Sequence, residues 1–169
     1  YANKLTELLV NLSSSLDNSE GGIYSDSKEK SIKKVLLVTF TSNRGLCGGF
    51  NANIIKKTKS IISKKYNNKE VEILSVGKKS SEYFIKNGFN VISSHDEVYS
   101  DLTFKNISII ADSIMDGFTR SNYDKVILIY NQFKNPATQI LVAENFLPIE
   151  PDSDPKEDLP GDYIFEPNQ

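Results

Sequence analysis

Residues 34 to 40 read Lys-Val-Leu-Leu-Val-Thr-Phe, a short apolar run that breaks almost at once into a loop holding Gly45, Gly48 and Gly49. The run is far shorter than the ~18 apolar residues a membrane span requires, and it lacks the alternation that would leave one face wet. It therefore fits a strand covered on both faces, as in the interior of a parallel sheet. We expect the three glycines at positions of positive φ or close backbone approach, and Asn51 as the N-cap of the lysine-rich helix that follows.

A strand of this kind needs neighbours, and the downstream pattern supplies them. The periodicity predicts a helix over 51–66, a strand over 71–76, a helix near 78–87, a short strand over 90–93, a helix over 103–120, a strand over 126–130 and a last strand over 138–146. The stripe of the third helix is set by Phe104, Ile107, Ile110, Ala111, Ile114 and Phe118. Strands alternating with helices imply right-handed crossovers, and so a mostly parallel, Rossmann-like α/β sheet with helices on both faces.

The flanks differ in character. Leu5, Leu8, Leu9, Leu12 and Leu16 recur at helical spacing, giving one apolar stripe on a helix over 2–16. Taken alone, that helix could lie on its own domain or pair with another helix. Residues 17–33 carry a Gly21-Gly22 pair and mixed charges, the composition of a linker. From Glu150 to Asp162 there are six acids, three prolines and one lysine, so residues 150–169 should form an exposed acidic loop or tail. Asp152 and Asp154 are spaced like calcium ligands, but no glycine or terminal glutamate follows at the offsets a calcium loop needs.

At 169 residues and 38% hydrophobic, the chain suits one domain of ordinary size. With no apolar span and no signal-peptide pattern, it is expected to be soluble. It opens on Tyr1 and its single methionine is Met115, so a longer parent polypeptide is expected. One cysteine excludes an internal disulfide and supplies no zinc motif. Residues 1–86 hold 15 Lys/Arg against 8 Asp/Glu, and residues 87–169 hold 5 against 14. The lysines of the 51–66 helix interleave with isoleucines and lack an aromatic platform, which argues against nucleic acid. An acidic protein partner or anionic head groups would suit them better.

Chemistry is sparse. A dinucleotide fingerprint needs Gly-x-Gly-x-x-Gly and a P-loop Gly-x-x-x-x-Gly-Lys-Ser/Thr, whereas the loop here is Gly-x-x-Gly-Gly. Cys47 sits in a glycine loop near a helix start, where a thiolate is favoured, but the only histidine, His95, would have to come from another loop. Arg44 can cap carbonyls, pair with an acid or contact another chain. No cofactor, metal or catalytic arrangement is expected.

The segment from Thr41 to Asn51, Thr-Ser-Asn-Arg-Gly-Leu-Cys-Gly-Gly-Phe-Asn, resembles the central-domain signature of γ subunits of F-type ATP synthases, bacterial type, which usually carry Asp at position 43. The strand from Val126 to Phe133, placed before a last crossover, and Asp162 to Pro167 are also similar to that family. The resemblance implies a Rossmann-like domain over 34–149, with 1–16 the end of an N-terminal coiled-coil helix, 17–33 a linker and 150–169 a lead-in to a C-terminal helix. It implies a non-catalytic rotor shaft that couples proton flow through a membrane ring to ATP synthesis on β subunits. The implied partners are the α and β subunits, the ε subunit and the c-ring, at the cytoplasmic face of the bacterial inner membrane. It makes Arg44, Gly45, Leu46, Cys47, Leu5, Leu8, Leu9 and Leu12 subunit-interface candidates. Two rivals stand beside it: a nucleotide-using α/β enzyme built on the 45–49 loop, and a free-standing interaction module docking through its leucine helix.

The motif test yields a prediction. Titration calorimetry with ATP or NAD should give no tight, stoichiometric binding, because the loop lacks the lysine and glycine spacing of a phosphate cradle; a stoichiometric isotherm with either ligand would favour the enzyme.

Overall fold

The computed structural model describes residues 31–135 and 138–149, together with Leu5 and Tyr24. The leucines at 8, 9 and 12, the linker apart from Tyr24 and residues 31–33, and the acidic stretch from 150 onward lie outside the described residues. Five strands form one sheet: β1 (Lys34–Phe40), β2 (Glu70–Val76), β3 (Val91–Ser94), β4 (Lys125–Asn135) and β5 (Thr138–Leu147). Their order is β3-β2-β1-β4-β5, with the first four mutually parallel and β5 antiparallel to β4. The sheet is thus α/β and mostly parallel, as its alternation implied.

Three helices cover it: α1 (Phe50–Lys65), α2 (Lys78–Lys86) and α3 (Phe104–Thr119). Because side chains alternate along a strand, β1 feeds two cores. Val35 and Leu37 point to α1 and pack with Ile54, Ile61, Ile127 and Ile129, while Leu36 and Val38 pack with Ile110 and Ile114 of α3. All four β1 residues are essentially inaccessible to water. At about 25 cal/mol per Å² of buried apolar area, a fully buried Val or Leu stabilises by roughly 1.5–3 kcal/mol, so this strand is the sheet's largest single asset. α2 lies on the α1 face, where Lys59 Nζ meets Tyr83 Oη at 3.1 Å. Its Phe84 is fully buried and meets Phe89 edge-on at 5.2 Å. With α1 and α2 on one face and α3 on the other, the strand order is the one right-handed crossovers produce.

Two expectations are corrected here. The fourth strand does not precede a crossover: β4 runs to Asn135 and turns back into β5 as a hairpin, with Asn135 paired to Thr138. The stripe of α3 is also narrower than its sequence suggested. Ile110, Ile114 and Gly117 face the sheet, whereas Phe104 is 89% exposed and Ile107 is exposed as well. The first turn of α3 is exposed, so helical spacing alone overstates what the helix covers. Its N-cap is Thr103, whose Oγ1 accepts from Asn106 N–H.

Gly117 is buried because Tyr123 takes the space a side chain would occupy; the phenol donates to the carbonyl of Ile114 at 2.6 Å. Burial, with Glu72 and Asp116 as lesser causes, pushes the Tyr123 phenol up to about 12. A folded-state value above the ordinary one of about 10 means stability from this group is complete below that ordinary value and lost as pH rises through the folded one. Alkaline unfolding should therefore steepen between about pH 10 and 12. Tyr123→Phe should cost about 1–2 kcal/mol at neutral pH and flatten that alkaline loss, as read by denaturant titration at several pH values.

Candidate functional site

The loop between β1 and α1 is built from both of its roots. On the α1 side, Asn51 Oδ1 accepts from the backbone N–H of Ser42 at 2.9 Å, and Asn51 Nδ2 donates to the carbonyl of Arg44 at 3.1 Å. Asn51 therefore is not the N-cap expected of it. The cap position is Gly49, with no side-chain hydrogen bond, and Asn51 lies within the first turn, spending its amide on the loop instead. On the other side, three consecutive residues satisfy the start of α2. Asn43 Oδ1 accepts from Lys78 N–H at 2.9 Å, the carbonyl of Ser42 from Lys79 N–H at 3.2 Å, and Thr41 Oγ1 from Ser80 N–H at 3.0 Å. A helix leaves its first N–H groups without intrahelical partners, so this is a cap supplied in trans by another segment.

The trans cap demands close approach, and Gly77 permits it. Its φ is +109°, and a side chain there would collide with the carbonyl oxygen of Thr41. Asn43 also reaches the turn after β3, donating from Nδ2 to the carbonyl of Asp96 at 2.7 Å. The glycines of the loop itself behave unevenly. Gly48 has φ +56° and Gly49 lies against Asn53, whereas Gly45 has neither a positive φ nor any neighbour a Cβ would meet. The expectation for Gly45 is therefore corrected; the left-handed residue beside it is Leu46, at φ 59°.

Past the roots, residues 44–48 project into solvent. Leu46 is wholly exposed, and Arg44, Gly45 and Cys47 are exposed too. The Arg44 guanidinium makes no hydrogen bond or ion pair with any described residue, so neither carbonyl capping nor acid pairing describes it here. Cys47 Sγ lies 3.3 Å from the carbonyl of Gly45 and 3.6 Å from Ser42 Oγ. His95 instead contacts Ser93 Oγ at 2.6 Å and Glu97 at 3.4 Å, so no Cys-His pair forms. Leu5 is helical and about half exposed.

In open α/β sheets a ligand lies outside the carboxyl ends of the strands, where the strand order reverses. That point falls between β1 and β4, and here the chain itself fills it. β4 stops pairing with β1 at Ile129 yet continues to Asn135. Tyr130 meets Phe40 edge-on at 6.4 Å, and Asn131 Nδ2 donates to the carbonyl of Phe50 at 3.0 Å. The neighbouring helix N-terminus is that of α1, which follows β1 and has Gly49 as its cap. An open depression of about 480 Å³ lies along α3 instead, lined by Asp112, Asp116 and Arg120 among others, toward the edge where the strands begin. Among the described residues no cluster of His, Cys, Asp and Glu could hold a metal ion, and no helix is long and apolar enough to cross a membrane.

Sequence reasoning missed Asn43, Thr41 and Gly77. The signal was present: Thr-Ser-Asn straight after a buried strand is capping chemistry, but its target is a helix some 35 residues away, at Lys78. Gly77→Ala should accordingly destabilise the fold by more than about 2 kcal/mol, since Cβ must displace the Thr41 backbone and break the trans cap. Gly45→Ala, in open space, should change the thermal midpoint little, and the pair measured together checks the packing argument.

Comparison with known proteins gives a consistent picture. A family model described as ATP synthase matches residues 1–169. The ATP synthase gamma chain of Flavobacterium johnsoniae is 47% identical over 169 residues, covering 100% of this chain and 58% of the relative. That of Flavobacterium psychrophilum is 48% identical over 172 residues, with the same coverage of each. This chain thus spans 58% of the length of these curated relatives. Among solved structures, the Tetrahymena thermophila mitochondrial ATP synthase central stalk and c-ring is similar at a TM-score of 0.59 and 24% identity, over 86% of this chain and 66% of that one. The Euglena gracilis mitochondrial ATP synthase rotor is similar at 0.54 and 19%, over 85% and 54%. These two likenesses concern the fold.

Proposed function

The chain belongs to the ATP synthase family, and from that premise we propose that it is the globular part of a γ chain, the non-catalytic central shaft of the rotary complex. The observation that carries this reading within the structure is the loop over 44–48: pinned at both roots, bare of neighbours at its tip, and beside a sheet whose ligand crevice is filled by its own hairpin. Such a loop suits contact with another chain better than chemistry on a small molecule. Arg44, Gly45, Leu46 and Cys47 are its contact residues. Leu46 supports this further, because a leucine held at positive φ and left fully in water costs free energy in the isolated chain that burial in a partner would recover.

The shaft acts without catalytic groups or cofactors of its own. An asymmetric body turning inside a ring of α and β subunits touches each β site differently, and those differential contacts bias the sites in turn. Proton flow through the c-ring drives the rotation, with the ε subunit as a further neighbour, at the cytoplasmic face of a bacterial membrane. Residues 34–149 form the globular domain and 17–33 its linker, while 150–169 lead from it toward a C-terminal helix. Residues 1–16 end an N-terminal helix whose Leu5, Leu8, Leu9 and Leu12 stripe pairs with that C-terminal helix. The half-exposed Leu5 fits a face that awaits a partner.

The test uses the full-length chain assembled with its α and β subunits. Arg44→Ala and Leu46→Ala should each weaken assembly or coupled ATP turnover by about tenfold while leaving the folding transition in place, the pattern of an exposed hot spot. Unchanged affinity and turnover in both variants would remove the loop from the interface.

A further inference from the structure

We propose that Asn43 is the positioning residue that sets the pose in which Arg44, Leu46 and Cys47 meet their protein partner. The inference rests on the interface reading of the loop. Its starting point is the contrast between the loop's tip and its roots. A Cβ added at Gly45 or Gly48 would meet nothing within 4 Å, and Leu46 is fully exposed. Packing therefore does not hold the tip, and its orientation comes from hydrogen bonds at the roots. Asn51 ties one root back to α1 through Ser42 and Arg44. The other tie, across to α2 and the turn after β3, runs through the side chain directly before Arg44. Asn43 is half-buried, accepting from Lys78 N–H at 2.9 Å and donating to the carbonyl of Asp96 at 2.7 Å.

Both ends of the carboxamide are in use in this chain. Asp would keep the acceptor for Lys78 and lose the donor to Asp96; Leu would keep the volume and lose both. A loop freed at this root samples more orientations, so fewer of them fit a partner, and affinity falls by the fraction that remain competent. Thr41 and Ser42 do not reach the turn after β3. Thr41 is buried below the loop; Ser42 Oγ donates to the carbonyl of Arg44 at 2.7 Å, a tie on the Asn51 side, and Ser42 reaches α2 only through its backbone carbonyl.

The experiment places Asn43→Leu, Asn43→Asp and Arg44→Ala separately in the full-length chain and measures affinity for the assembled α and β ring, thermal midpoint and amide exchange. Asn43→Leu should weaken ring binding by about tenfold, the equivalent of losing one well-made hydrogen bond's worth of order, and should speed exchange at Lys78 and at 44–48. Asn43→Asp should keep Lys78 protected and weaken binding by a smaller factor, about threefold, so it serves if the Leu variant folds poorly. A purely structural role would move the midpoint and leave the affinity alone; that outcome overturns the proposal, as does unchanged exchange at 44–48 in the Leu variant. If Arg44→Ala binds like the unaltered chain, the interface reading fails by itself. Faster exchange at 44–48 in the Leu variant would still uphold Asn43 as the residue that fixes the loop's pose.

Discussion

The capping of α2 by Thr41, Ser42 and Asn43 is the contact on which the upper edge of the sheet depends. A helix that begins just after a buried strand starts in a place with little water, so its first N–H groups must find protein acceptors or cost roughly 1–3 kcal/mol each. Here the acceptors come from the chain leaving the neighbouring strand. That requirement explains Gly77, whose missing side chain lets the Thr41 carbonyl come close, and the two buried hydroxyls of Thr41 and Ser80, 3.0 Å apart.

Much of the fold was legible because β1 left few choices. Val35 to Phe40 could be buried on both faces only inside a sheet with helices above and below, and Lys34–Phe40 lies at its centre. The helix expected over 103–120 is α3, Phe104–Thr119, with Thr103 as its cap. Three features were not legible from local propensity and spacing. Asn51 was read by local propensity as a cap, but tertiary contacts to Ser42 and Arg44 outbid that role. The stretch after Tyr130 continues as strand despite Asn131, Gln132 and Asn135, because β5 pairs with it along the hairpin. Phe104 belongs to the helical stripe by spacing yet is 89% exposed.

For the loop, the sequence pointed to the right stretch but not to how it works. Arg44, Leu46 and Cys47 stood out as residue types, whereas their presentation depends on Asn43, Asn51 and Gly77, which hold the loop's roots. Side chains that act by holding others carry no chemical signature. They become visible once the strand order brings 43, 78 and 96 to one edge.

The antiparallel β5 gives the domain a further property. Because it reverses direction, it ends beside the starts of the parallel strands: Leu147 pairs with Val126, whose other neighbour is Leu36. Two strand spacings, roughly 10 Å, thus separate the chain's entry into the sheet from its exit. Close by, the backbone N–H of Ile149 donates to the carbonyl of Tyr24 at 2.8 Å. The two ends of the sheet are therefore side by side. A force that parts them should first open the Tyr24 to Ile149 bond and then peel β5 from β4 one pair at a time, starting at Leu147.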